Sequence, residues 1–163
     1  DHQRMHEAFE LRRQHQEHHH QRKPERERNG AARLLELARR ARVISGDRLA
    51  ADLAHSNQQT RLAAINTLTR LGDTKAVLSI AALLKDVDPR VRAEAARSLG
   101  EFGDSRAIEP LLAGLQDAFS DVRLQSANSL GRMKDNRAIS PLTAMLIDKD
   151  ARVSLAAAEA LQK

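Results

Sequence analysis

The chain has 163 residues, of which 30% are charged and only 2% aromatic, with no cysteine and a formal net charge of +5. The absence of cysteine excludes disulfides and thiolate metal sites, and the scarcity of aromatic residues and β-branched runs disfavours a β-sheet. No apolar run approaches the roughly 18 residues of a membrane span. We therefore predict an all-α cytoplasmic protein. Because the sequence begins with Asp1 rather than Met, we expect a longer parent chain, and any membrane contact would come from an upstream anchor.

Residues 1–29 are rich in His, Gln, Arg and Glu and contain little apolar surface. Pro24 interrupts any helix, and Asn29 with Gly30 marks a break. We predict a polar lead-in that is either disordered or a poorly packed helix. The i, i+4 spacing of His15 and His19 could chelate a metal, but no packed scaffold surrounds them. A solvated, histidine-rich tract is therefore the favoured interpretation, and we expect no metal site.

Residues 30–58 are predicted to be a degenerate first repeat that caps the array which follows, so that the array spans 30–163. A helix over 31–43 carries leucines on one face and arginines on the other. Residues 30–48 hold five basic against two acidic residues, whereas residues from 49 onward hold fifteen against fourteen. The excess defines a basic patch that is a candidate site for anionic lipid or nucleic acid. A solvated helix face is the favoured alternative. The patch consists of Arg33, Arg39, Arg40 and Arg42.

From residue 59 a pattern recurs every 31 residues and predicts repeats at 59–89, 90–120 and 121–151, with a truncated unit at 152–163. Each repeat has a helix A, a short turn and a helix B. Equivalent positions 31 residues apart, here called columns, carry similar residues; three of them begin with Leu68, Ala64 and Ile80. Their helical spacing predicts one buried face on each helix. Gly72 and Gly103 suit a left-handed position after helix A, and Asp88 followed by Pro89 suits a helix start.

The stretch from Asp88 to Leu111 resembles the short HEAT-like repeat named after phycobilisome lyases, whose pattern is D-P-x-V-R-x-x-A-A-x-x-L-G-x-x-G-D-x-R-A-I-x-P-L. The resemblance is strong over 60–163 and weak over 30–58. It implies a right-handed α-solenoid of paired antiparallel helices with about four repeats. Some relatives are implied to act as subunits of bilin lyases, although Lys134 replaces the glycine of the third turn.

Charged residues also recur with the repeat. The acid pairs of the linkers, such as Asp86 with Asp88 and Asp148 with Asp150, could serve as general acids and bases, but repetition in every unit favours helix capping. The arginines Arg61, Arg92 and Arg123 could track phosphates. We interpret them instead as a ladder of salt bridges between stacked repeats.

These observations predict a non-enzymatic scaffold that presents a concave row of B helices to another protein. We expect no catalytic residue, no cofactor and no small-molecule substrate. The candidate partner site is the helix-B face, opposite the core columns, where residues disagree between repeats. The alternatives are a subunit of a bilin-lyase-like enzyme and association with nucleic acid or a membrane through the basic patch. The helix-B face consists of Lys75, Leu78, Lys85, Arg106, Glu109, Ala113, Gln116, Arg137, Ser140 and Ile147.

Overall fold

A computed structural model describes residues 46–162, and this part of the chain is an all-α solenoid without a β-strand. A helix α1 reaches residue 52. The A helices are α2 (Gln58–Leu71), α4 (Pro89–Phe102), α6 (Ser120–Met133) and α8 (Ala151–Leu161). The B helices are α3 (Val77–Ala82), α5 (Ile108–Gly114) and α7 (Ile139–Met145). None of these helices is long and apolar enough to cross a bilayer. The predicted lead-in over 1–29 and the helix over 31–43 lie outside the described residues.

The ends of the A helices follow from local side-chain chemistry. Asp88 accepts a hydrogen bond from the backbone N–H of Arg90 at 2.8 Å, so that it caps α4 as predicted. Asn57 and Asp150 cap α2 and α8 in the same way. Gly72 and Gly103 end α2 and α4 in the left-handed conformation, both with φ of 62°, which confirms that prediction.

Each B helix begins with a 3₁₀ turn, which the sequence did not indicate. The turns span Thr74–Ala76, Ser105–Ala107 and Asn136–Ala138. Each is capped by the aspartate before it, whose side chain accepts the N–H two residues on. This short-range bond holds the first turn tightly wound and fixes the angle at which helix B leaves helix A.

The A helices approach one another closely because small residues face each other. A Cβ atom added to Gly100 would lie 2.3 Å from the hydroxyl oxygen of Ser129, which only glycine avoids. Ser129 in turn donates a hydrogen bond of 2.8 Å to the carbonyl of Ala96, so a side chain of α6 bonds the backbone of α4. Gly131 lies similarly close to Ala160, so small residues at these positions set how near the later A helices stack.

The predicted core columns are buried in the middle of the array but not at its end. Ile108, the first residue of α5, is 1% exposed, and Leu115, the residue directly after α5, is 0% exposed. Their equivalents Ile139 and Leu146 are 53% and 41% exposed, contrary to the prediction that the whole column is buried. The difference arises because a further complete repeat, with its own B helix, follows α5, whereas no described B helix follows α7. Val153, by contrast, is fully buried, as expected for a last A helix that packs on the third repeat.

A ladder of buried ion pairs runs along the linkers. Arg123 binds both carboxylate oxygens of Asp148 at 2.7 and 2.8 Å, and its other nitrogen donates to the carbonyl of Asp117 at 2.8 Å. Arg92 repeats this arrangement with Asp117 and the carbonyl of Asp86. Arg61 donates through Nη2 to Asp86 at 2.7 Å, while its Nε lies close to the same carboxylate at an angle unfavourable for a hydrogen bond.

The ladder corrects the prediction of salt bridges between stacked repeats. Each carboxylate lies 25 residues after its arginine, within the same repeat, and only the main-chain carbonyl belongs to the linker before it. Each guanidinium therefore bridges two successive linkers. The acids also differ from expectation: Asp88 and Asp150 are caps, whereas Asp86, Asp117 and Asp148 hold arginines.

We predict that Arg123→Ala lowers the free energy of unfolding by about 3 kcal/mol, because it leaves Asp148 buried without its partner. The side chains of this pair are only 6% and 7% exposed. The matched control is Arg137→Ala, whose pair with Glu109 is exposed and should cost less than about 1 kcal/mol. Urea denaturation measures both values. Equal losses in the two variants would contradict a structural role for the ladder.

A second pair of variants tests the exposed end of the core column. Ile108→Ala should cost about 2–5 kcal/mol because it leaves a cavity, whereas Ile139→Ala should cost about 1 kcal/mol or less because half of the side chain is in water. Thermal or urea denaturation of the two variants gives the comparison. A loss at Ile139 as large as that at Ile108 would show that another surface covers α7 in solution.

Candidate interaction surface

All ten residues predicted for the helix-B face are exposed in the structure. Their spacing along each B helix places them on one side, away from the core columns. Leu78 is 57% exposed and Ile147 is 90% exposed, although both are aliphatic. A row of exposed alanines, Ala82, Ala113 and Ala144, runs between them. The basic patch of Arg33, Arg39, Arg40 and Arg42 lies outside the described residues.

Arginines of the helix-B face link neighbouring repeats. Arg137 at the start of α7 binds Glu109 of α5 at 3.1 Å. Arg106 donates to the carbonyl of Thr74 in the preceding repeat at 3.1 Å. Lys75 and Lys85, by contrast, have no ion-pair partner among residues 46–162. Side chains thus link all three units of the face, while the two lysines of the first unit remain exposed.

The same arginines determine the electrostatics of the aspartates beside them. A side-chain hydrogen bond from Arg106 to Asp104, of 2.7 Å, and a second from the backbone N–H of Arg106 lower the pKa of Asp104 to about 2. Arg137 lowers the pKa of Asp135 to about 2 in the same way. Both charges of each pair are therefore present at neutral pH, and the two arginines are held in a fixed orientation.

The linker acids and the histidine of residues 46–162 make contacts that support the fold. No group of three or more His, Asp or Glu side chains in this range is placed to hold a metal ion. His55, the one histidine of the range, accepts the N–H of Asn57 at 3.0 Å and supports the turn before α2. The linker acids make structural contacts, as predicted. Half of them bind arginines of the ladder instead of capping a helix.

One exposed residue was missed by the sequence reasoning. Phe119 is 52% exposed and stands in the column of Asn57, Asp88 and Asp150, all of which are caps. The signal was present in the 31-residue alignment, since an aromatic residue replaces a capping residue in one repeat of four.

The fold and the ladder identify the class of protein. A family profile described as HEAT repeats matches residues 46–121 and 80–162, and the chain belongs to this family. No curated protein sequence matches the chain significantly.

Solved structures with the same fold include two from enzymes. Human deoxyhypusine hydroxylase matches with 26% identity and a TM-score of 0.66 over 78% of this chain and 46% of that one. The complex of CpcE and CpcF of phycocyanin lyase from Nostoc sp. PCC7120 matches with 21% identity and a TM-score of 0.54, covering 72% of this chain and 65% of that one. An engineered protein matches with 21% identity and a TM-score of 0.58 over 71% of this chain and 60% of that one. The chain thus spans about half to two thirds of the length of these structures.

These similarities correct one prediction. The sequence was interpreted as that of a protein that is not an enzyme, and this is wrong as an exclusion. A hydroxylase that is 26% identical over most of the chain carries the same repeat fold, so the absence of a familiar catalytic motif does not separate this chain from enzymes.

The depressed pKa values predict acid sensitivity of the turns before the B helices. Because the folded pKa of Asp104 and Asp135 is about 2 and the unfolded value is about 3.9, these groups stabilise the fold fully above pH 4. This contribution is lost as the pH falls from about 4 to 2. A carbon-detected NMR titration should give side-chain midpoints near 2 for both residues. Midpoints near 4 would show that the arginine contacts do not persist in solution.

Proposed function

We propose that the chain is a protein-binding scaffold and that its helix-B face is the surface that contacts the partner. HEAT arrays stack their repeats so that one helix of each repeat contributes to an extended, concave surface. In this chain that surface is built from α3, α5 and α7. The buried columns serve packing between repeats, which leaves the exposed column free to vary with the partner.

The observation that carries the proposal is the exposure of aliphatic side chains on this face. Leu78 lies 57% exposed where the other repeats have Glu109 and Ser140, and Ile147 lies 90% exposed where they have Lys85 and Gln116. Solvent alone favours polar residues at such positions, and the two side chains, which lie two repeats apart, offer apolar contacts to a partner that spans the face. The alanine row between the two side chains lets the backbone of a partner approach closely.

A second candidate is that the array forms part of an enzyme. The support is the 26% identity to human deoxyhypusine hydroxylase over 78% of this chain, together with the shared fold of the CpcE and CpcF complex. This chain spans 46% of the hydroxylase chain, so an activity would draw on further residues or on a second chain. In that arrangement the helix-B face would be a contact between subunits or domains.

We predict that the double variant Arg106→Ala and Glu109→Ala weakens capture of the partner at least tenfold, about 1.4 kcal/mol. The free energy of unfolding should change by less than about 1 kcal/mol, since only exposed ion pairs are lost. Wild type and variant are compared in a pull-down from lysate of the source organism, followed by titration of the captured protein. Arg70→Ala, an exposed residue at the end of α2, is the matched control and should bind like wild type.

Three outcomes separate the candidates. Loss of binding in the double variant alone supports the helix-B face. Equal binding by wild type and double variant, with loss on changing Arg39 and Arg40 to Ala, rejects the face in favour of the basic patch. A captured protein with a hydroxylase or lyase activity that depends on this chain would favour the enzyme candidate.

A further inference from the structure

Phe119 differs from its repeat equivalents because its side chain cannot cap the helix that follows. Asn57, Asp88 and Asp150 each accept a hydrogen bond from the backbone N–H two residues later, at 2.8 to 2.9 Å. Phe119 occupies the same position before α6 and makes no such bond. Replacing a capping side chain weakens a helix start, and about half of the Phe119 side chain stays exposed to water. An exposed aromatic ring that stands in place of a cap is therefore a candidate contact for a partner.

The ring of Phe119 is held in place from one side. The guanidinium carbon of Arg92 lies 5.3 Å from the ring centroid, which is a cation–π contact. Arg92 is itself fixed in the ladder by both carboxylate oxygens of Asp117, at 2.7 and 2.9 Å. The ring is therefore oriented by a rigid, buried element, as an interface anchor requires.

Phe119 also borders an open groove of about 570 Å³. The groove runs between the linker before α6 and the linker before α8. It shares no residue with the helix-B face. We call it the Phe119 groove, and its lining residues are Ala118, Phe119, Ser120, Lys149, Asp150 and Ala151.

The charged groups around this groove balance in number, but they differ in whether they are paired. Lys149 is exposed and has no ion-pair partner among residues 46–162. Asp150 is only 22% exposed and binds Arg152 at 2.8 Å. Asp121, which is 67% exposed, also pairs with Arg152, at 3.1 Å. Both acids thus share one arginine, and the ammonium group of Lys149, which has no such partner in this range, is the group available to pair with an anion.

We propose that the Phe119 groove binds a peptide segment of a partner protein in which an apolar side chain stands next to a carboxylate. The apolar side chain packs against the free side of the Phe119 ring. The carboxylate pairs with Lys149 at the other wall of the groove. Aromatic anchors beside complementary charge are the usual centre of such contacts.

The test uses a random peptide library displayed on phage and selected on the full chain, with Phe119→Asn as counter-selection. Asparagine caps α2 in this chain, so this variant restores a cap without changing the charge, and its Tm should not fall below that of wild type. We expect enriched peptides to carry a hydrophobic residue beside Asp or Glu. Their affinity should drop at least tenfold with Phe119→Asn and with Lys149→Glu.

The matched control is Lys85→Glu, a change of the same charge on the helix-B face, which should leave binding of these peptides unchanged. Failure to select any peptide that depends on Phe119 would overturn the proposal. So would Phe119-dependent peptides that are basic, or that bind Lys149→Glu as well as wild type. A lower Tm in Phe119→Asn would show that the phenylalanine serves the fold, which also overturns it.

Discussion

The buried ion pair between an arginine at the start of helix A and an aspartate 25 residues later supports the rest of the array. Taking both charges out of water is costly, and a bidentate contact alone seldom offsets it. Here the remaining guanidinium nitrogen donates to a carbonyl of the preceding linker, and the carboxylate also accepts a backbone N–H, as when Asp148 binds the N–H of Asp150 at 2.9 Å. All polar groups of the pair are thereby used. One side chain fixes two linkers, and so sets the register between repeats.

This arrangement separates two kinds of surface. The ladder constrains the linkers, and the close contact of Gly100 with Ser129 constrains the stacked A helices, so the arginines and aspartates of the ladder recur in each repeat. The outer side of the B helices carries no such constraint. Leu78, Glu109 and Ser140 differ although they occupy equivalent positions. Phe119 is the exception on the constrained side, which is why its departure from the repeat is informative.

The similarity to enzymes follows from the same difference between positions that pack the fold and exposed positions that vary. A HEAT array specifies a backbone and a packed core, whereas activity depends on side chains placed on that backbone. Human deoxyhypusine hydroxylase and an engineered protein are similar in fold over 78% and 71% of this chain, at 26% and 21% identity. Repeat columns therefore predict the architecture across proteins of different function. They are uninformative about catalysis, because the residues that repeat are those that pack.

The sequence alone determined the repeat, the all-α class, the caps at Asp88 and Asp150, and the left-handed glycines. These features depend on contacts within a few residues, or on a period that is visible when successive copies of the repeat are compared. It also placed the helix-B face on the solvent side, since helical spacing decides which residues lie opposite the core. Only the tertiary structure decided that Asp117 holds Arg92 rather than a helix end, that Ile139 is exposed while Ile108 is buried, and that Phe119 borders a groove. Those outcomes depend on which repeat packs next to each residue, and that neighbour is not encoded in the local pattern.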